Sequence, residues 1–90
     1  MAAMNKQTLL STSTSSQVCL DKFLKIAYIS DQENGSIYTY GYAEFSENGE
    51  PKEILNEATD PEVKSVQGMA IVTGNLFWYG AESDNLYCLP

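Results

Sequence analysis

The chain has 90 residues, with five Lys against twelve Asp and Glu, no His, and a formal net charge of −7. This length fits one small domain. The acidic balance repels a phosphate backbone, and without Arg the chain lacks the usual reader of bases, so we expect no nucleic-acid partner. An acidic surface can attract a basic protein, which keeps a small acidic inhibitor open as an alternative function.

The amino-terminal segment predicts no targeting or membrane-spanning element. It lacks the apolar core of about seven residues that a secretory signal needs, and no stretch approaches the ~20 apolar residues of a membrane span. We therefore expect no membrane partner and a cytoplasmic location by default. The run "STSTSSQ" at residues 11–17 has the composition of an unstructured segment. We predict a disordered Ser/Thr-rich tail over residues 1–17 and a small all-β domain over residues 18–90.

The remaining chain alternates between short apolar runs and clusters of turn-forming residues, a pattern typical of strands. The runs "KIAYIS" and "IYTYGYAEF" flank the turn "DQENGS", and "KEIL" follows the Asn-Gly turn of "SENGEP" as a brief edge strand. A helix over "PKEILNEA" is the alternative for that segment. Beyond the loop "NEATDPEVK" come "SVQGMAIV", "NLFWYG" and "DNLYCLP". We predict an all-β antiparallel meander of five or six strands.

The two cysteines, Cys19 and Cys88, leave the redox state open. They could form a disulfide if the ends of the domain meet, and closing so long a loop would contribute about 4 kcal/mol in the chain-entropy model. Cysteine is also among the residues most often found buried as a free thiol. We favour two buried free thiols.

Two stretches offset by 49 residues share one layout. Residues 27–31 fall on residues 76–80, and residues 37–38 fall on residues 86–87. Each stretch consists of an apolar strand, a polar turn and a second strand with Tyr near its centre. Any two hairpins of a Tyr-rich β protein look somewhat alike, but the shared spacing favours a true repeat. A period of ~40–50 residues is typical of propeller blades.

The motifs "YISD" at 28–31 and "FWYG" at 77–80 resemble the Tyr-Trp-Thr-Asp signature of YWTD propellers, known from lipoprotein-receptor ectodomains. The stretch from "DQENGSIYTY" to "VQGMAI" is similar to the gluconolactonase and regucalcin propellers. The resemblance covers roughly residues 20 to 90 and implies about one and a half propeller-type blades. It also implies an extracellular location if the chain is a fragment of a YWTD-type receptor.

Gluconolactonase-type enzymes hold a divalent metal with carboxylate and Asn oxygens, and this chain departs from that pattern. The family's Asp falls here on Gln67, and the segment before "KIAYIS" lacks the expected Asn. Because carboxylate charge supplies most of the affinity for hard cations, we expect no metal, no cofactor and no metal-dependent lactonase activity. The absence of His also excludes the usual nucleophilic triads, so we predict no catalytic residues. An inactive or truncated relative of these hydrolases is the alternative.

Four carboxylates in the two polar turns are weak candidate metal ligands. They would meet only if both turns lie on one rim of the protein, and exposed carboxylates are ordinary surface groups, so we favour a solvated acidic rim. The four residues are Asp31, Glu33, Glu82 and Asp84.

The predicted function follows from the apolar side chains of the two repeats. A single blade leaves sheet faces uncovered unless neighbours pack on them, so we expect these residues to bind a protein partner or a second copy. We predict that Trp78, Leu86 and Leu89 find no partner inside the chain and pack against a further blade. The chain would then be a non-catalytic β-sheet interaction module, self-associating or part of a larger propeller. The predicted interaction residues are Phe77, Trp78, Tyr79, Leu86, Tyr87, Tyr38 and Tyr40.

Overall fold

The computed structural model describes Leu10 and residues 16–43, 50–80 and 84–89. These ranges confirm the predicted all-β class, with seven strands and a short 3₁₀ turn at Pro61–Val63. The strands are β1 Val18–Asp21, β2 Ile26–Asp31, β3 Ser36–Gly41, β4 Lys52–Asn56, β5 Val66–Val72, β6 Asn75–Gly80 and β7 Leu86–Leu89. The prediction allowed five or six strands. The additional strand is β1, which has four residues and is too short to give a clear pattern in the sequence.

The first four strands form an antiparallel meander, sheet I, in the order β1-β2-β3-β4. The segment for which a helix was the alternative is the edge strand β4, as favoured. The backbone of Gln17 already pairs with this sheet, because its carbonyl accepts a hydrogen bond from the Ser30 N–H at 2.9 Å. The rest of the predicted tail, apart from Leu10 and Ser16, lies outside the described residues.

Strands β5, β6 and β7 form a second antiparallel meander, sheet II. The 49-residue offset places β2 on β6, since residues 26–31 become residues 75–80, the bounds of both strands. It also carries β3 onto β7. The repeat seen in the sequence is therefore a repeat of strands, with β1-β2-β3 corresponding to β5-β6-β7.

Buried aspartates end the first two strands and cap the turns that follow. The Asp21 Oδ1 accepts hydrogen bonds from the N–H groups of Phe23 and Leu24, at 3.0 and 2.9 Å. Asp31 accepts two hydrogen bonds from Asn34, one from its N–H at 3.3 Å and one from its Nδ2 at 2.8 Å. Short Asp side chains commonly close turns in this way. The two turns thus help to set the pairing of β1 with β2 and of β2 with β3.

The core lies between the two sheets. Five buried residues form its centre: Ile37, Val63, Val66, Leu76 and Trp78. Half-buried apolar side chains of both sheets pack around them: Cys19, Tyr28, Leu55, Met69, Ile71, Tyr87 and Leu89. The sheets come closest at their first strands, where Cα atoms of β1 and β5 approach within 8 Å.

This core corrects one sequence prediction. Trp78 and Leu89 do not await a further blade, because Trp78 is only 3% exposed and Leu89 packs on the same cluster. The Trp78 ring stacks on the Tyr87 ring, with centroids 5.7 Å apart and planes inclined by 24°. The prediction was wrong because a sequence pattern marks a side chain as apolar without saying which sheet covers it.

Both cysteines are free thiols, as favoured. Cys19 is half-buried, whereas Cys88 is exposed, so the expectation that both are buried holds for neither in full. Within the described ranges, no helix has the length and hydropathy needed to cross a bilayer.

Candidate functional site

Sheet II is apolar on both faces. Successive side chains of a strand point to opposite faces of the sheet, so the pairing register assigns every residue to one face. The inner face meets sheet I and carries Val66, Met69, Ile71, Leu76, Trp78, Tyr87 and Leu89. The opposite face, called here the open face, carries Gly68, Ala70, Val72, Asn75, Phe77, Tyr79, Leu86 and Cys88.

The open face is accessible to solvent. Leu86 is 67% exposed, Val72 53% and Tyr79 51%. Phe77 lies between them and is half-buried. A shallow depression of about 550 Å³ crosses this side of the sheet, bordered by the side chains of Phe77 and Leu86 among others. Exposed and contiguous apolar surface of this kind marks a binding site more often than isolated apolar residues do.

Tyr79 is held in place by a glycine on the neighbouring strand. Gly68 pairs with Tyr79, and a Cβ atom added at Gly68 would lie 2.7 Å from the Tyr79 Cε1. The tyrosine ring therefore lies directly over the Gly68 backbone. Covering a strand glycine with a cross-strand aromatic ring stabilises a sheet and fixes the ring. Tyr79 thus presents a fixed aromatic surface to solvent.

The open face carries no charged side chain, although the whole chain carries a net charge of −7. The centres of protein interfaces are depleted in charged residues and enriched in aromatic ones. Burying a charge without a partner is costly, so a charge-free face can be covered by another molecule with little electrostatic penalty. The chemistry of the face suits an apolar protein surface.

The predicted interaction residues divide between several environments. Phe77, Tyr79 and Leu86 lie together on the open face. Trp78 and Tyr87 belong to the core, which corrects their assignment to an exposed interaction surface. The remaining two, Tyr38 and Tyr40, lie on sheet I, on the face turned away from the core. Tyr40 is buried, and its hydroxyl has no hydrogen-bond partner in the part of the chain that the structure describes.

Sequence reasoning missed the small residues of the open face, Gly68 and Ala70. They alternate along β5 with the core residues Met69 and Ile71. This alternation of small and large apolar residues was visible in "VQGMAIV". An unbroken apolar run, however, does not reveal that one face of the strand is buried and the other exposed.

The four candidate carboxylates do not form a metal site among the described residues, which contain no group of three or more His, Cys, Asp or Glu suited to hold a metal ion. Asp31 is buried and its carboxylate already accepts two hydrogen bonds from Asn34. Glu33 and Asp84 are exposed. Glu82 lies outside the described residues.

Gly80 occupies the place that corresponds to Asp31 in the first repeat, and the structure explains the difference. A Cβ atom at Gly80 would lie 3.1 Å from the Lys64 carbonyl oxygen and 3.2 Å from that of Ser65. The segment that enters β5 therefore passes too close to β6 for an ordinary side chain. This close approach explains why the second repeat has Gly where the first has Asp.

Two ionisable groups on the inner face of sheet I are perturbed. Cys19 and Tyr28 are cross-strand partners there. Burial raises the pKa of the Cys19 thiol above its ordinary value. Burial also raises the pKa of the Tyr28 hydroxyl, and negative charge on Asp21 and on Cys19 adds to that effect. Both groups are therefore held in their neutral forms at neutral pH.

These shifts predict a loss of stability at alkaline pH. A group whose pKa is raised by folding stabilises the protein fully below its pKa in the unfolded chain, and this contribution disappears as pH rises through its pKa in the folded protein. We expect the urea midpoint to fall as pH rises past the ordinary pKa values of the two groups, 9.0 for Cys and 10.0 for Tyr. The double variant Cys19→Ala/Tyr28→Phe should show a flatter decline. An equal slope in both proteins would contradict this assignment.

The chain matches no protein-family model, no curated protein and no solved structure at a significant level. The resemblance to propeller families therefore stays a prediction.

Proposed function

We propose that this chain is a non-catalytic β-sheet interaction module, of propeller-blade type, that binds protein through the open face of sheet II. The observation that carries the proposal is the contrast between the two faces of one sheet. Both are apolar, but sheet I covers only one of them. Three large side chains of the uncovered face, Phe77, Tyr79 and Leu86, form an uncharged surface that suits a protein partner.

The arrangement of the two sheets supports the blade-type interpretation. Each sheet is a simple meander, and the chain passes from β4, the last strand of sheet I, to β5, the first strand of sheet II. The first strands of both sheets lie near each other, and the sheets pack face to face. Neighbouring blades of a propeller are radially repeated meanders of this kind. Such sheets bury their apolar faces only against neighbours, which is why a module with one covered face calls for a partner.

Site-specific photocross-linking tests the proposal. A benzoylphenylalanine placed at Leu86 is expected to cross-link to a protein chain in cells that express the module. The same group at Phe23, which is 92% exposed but lies in the turn after β1, is the matched control for random collision. Adding Tyr79→Lys should reduce the cross-link at position 86 at least tenfold, because an ammonium group buried in an apolar interface is costly.

Equal cross-linking at positions 86 and 23 would show that the open face is not a binding surface. Mass spectrometry of the cross-linked product then identifies the partner as a second copy or a different protein. Either partner agrees with the proposed function, whereas only a second copy agrees with self-association.

A further inference from the structure

The pairing register assigns to the residues of sheet II equivalent positions in sheet I. Strands β2 and β6, and likewise β3 and β7, correspond at an offset of 49 residues. Strands β1 and β5 correspond at 51, because four residues separate β1 from β2 whereas only Thr73 and Gly74 separate β5 from β6. With these offsets, each cross-strand row of sheet II has a counterpart in sheet I.

The open face of sheet II is the counterpart of the covered face of sheet I. The row Cys19, Tyr28 and Thr39 corresponds to the row Ala70, Phe77 and Cys88. Ile37, which is fully buried against sheet II, corresponds to Leu86, which is 67% exposed. The same position of the repeat is therefore covered in one sheet and uncovered in the other.

The reverse relation also holds. The outer face of sheet I, turned away from the core, is the counterpart of the inner face of sheet II. Its row Val18, Ile29 and Tyr38 corresponds to Met69, Trp78 and Tyr87 of the core. Val18 is 64% exposed, Leu20 is 49% exposed, and Ile29 and Tyr38 are half-buried, whereas Ala27 and Tyr40, which share the row of Leu20, are buried. The chain thus carries both halves of the interface that joins its own two sheets a second time, and the accessible part of the second outer half is its β1 side, around Val18 and Leu20.

We infer that a second copy of this chain occupies the open face, and that the copies join head to tail. This inference rests on the proposed function and names the partner. The open face of one copy packs on the outer face of sheet I of the next copy, repeating the contact between the two sheets inside each chain. The rows Ala70, Phe77, Cys88 and Val18, Ile29, Tyr38 are uncharged within these strands. The outer row continues on β4 at the exposed Glu53, but β4 has no counterpart among the three strands of sheet II, so this carboxylate lies beside the repeated contact.

A head-to-tail interface uses two different surfaces, so it extends until it closes into a ring or continues as a filament. Closed propellers contain about four to eight blade-like sheets. Each copy contributes two sheets, so closure on that scale corresponds to about two to four copies. The symmetric alternative, in which two open faces meet each other, needs no contribution from sheet I.

A mixing experiment with two blocked variants distinguishes these arrangements. Leu86→Lys blocks the open face, and Val18→Lys/Leu20→Lys blocks the outer face of sheet I. Phe23→Lys introduces the same single charge as Leu86→Lys at an exposed site on neither face. Analytical ultracentrifugation should find the wild type and Phe23→Lys associated, and each blocked variant monomeric. An equimolar mixture of the two blocked variants should form a complex of two chains, because each retains the face that the other lacks.

Three results would overturn the inference. One is a wild type that stays monomeric at about 1 mM, the concentration above which even a weak interface with a dissociation constant near that value is occupied. Another is association of Val18→Lys/Leu20→Lys at the wild-type level, which would indicate the symmetric arrangement. The last is the absence of a two-chain complex in the mixture, with circular dichroism showing both variants folded. If the wild type is monomeric while position 86 still cross-links to another protein, the proposed function stands and this inference fails.

Discussion

Trp78→Ala is expected to lower the free energy of unfolding by about 3–5 kcal/mol, the range for removing a large buried aromatic side chain. Trp78 is 3% exposed, lies at the centre of the core and stacks on Tyr87. Small domains have unfolding free energies near the lower end of about 5–15 kcal/mol, so this loss removes most of the stability. Urea denaturation followed by circular dichroism measures it directly.

Trp78→Phe is the matched control for that experiment. It keeps an aromatic ring beside Tyr87 and removes the Trp78 Nε1–H, which is buried without a hydrogen-bond partner in the described part of the chain. Leaving a buried donor unsatisfied costs about 1–3 kcal/mol, so its removal offsets part of the lost packing. We expect a clearly smaller destabilisation than for Trp78→Ala. A cost below about 1 kcal/mol for Trp78→Ala would mean that this side chain is exposed in solution, against its place in the core.

The second large effect concerns Ile37 and Leu86, which occupy the same position of the two repeats. Ile37→Ala should cost about 2–5 kcal/mol, because Ile37 is fully buried and the change leaves a cavity between the sheets. Leu86→Ala should change the stability of the monomer by no more than about 0.5 kcal/mol, because Leu86 is mostly exposed. The comparison uses similar side chains in equivalent strands, so the difference measures the cover that sheet II provides.

Both variants should be measured at low protein concentration, where association through the open face does not add to the stability of the folded state. At high concentration Leu86→Ala is expected to become more destabilising relative to the wild type. The loss of unfolding free energy caused by Ile37→Ala is expected to persist. Similar costs for the two substitutions in dilute solution would contradict the assignment of covered and open faces.

Local patterns were sufficient to predict the strands. The turns after "KIAYIS" and "SVQGMAIV" are short-range features that depend on Asp, Asn and Gly within a few residues, and both appear where expected. The register shifts were not predictable from the sequence: one lies between Ile37 and Tyr38 and another between Val66 and Gly68. A bulge arises from the fit between two strands, and neither strand specifies it alone.

The composition of the open face was predicted only in part. The aromatic and leucine side chains of the last two strands were predicted to be interaction residues, and three of them, Phe77, Tyr79 and Leu86, lie on the open face. Trp78 and Tyr87 were grouped with them because the pattern is apolar without interruption. Where both faces of a strand are apolar, alternation gives no signal to separate them.

The sequence by itself determined the all-β class, the position of the strands and the 49-residue repeat, because each of these rests on residue preferences and spacing within one hairpin. Only the tertiary structure decided which apolar face is covered. Leu76 and Leu86 are equally apolar, yet Leu76 is buried and Leu86 is exposed. The connection from β4 to β5 brings β1 beside β5 and thereby turns one face of sheet II towards sheet I. Burial is a property of two packed surfaces, and one strand's sequence describes only one of them.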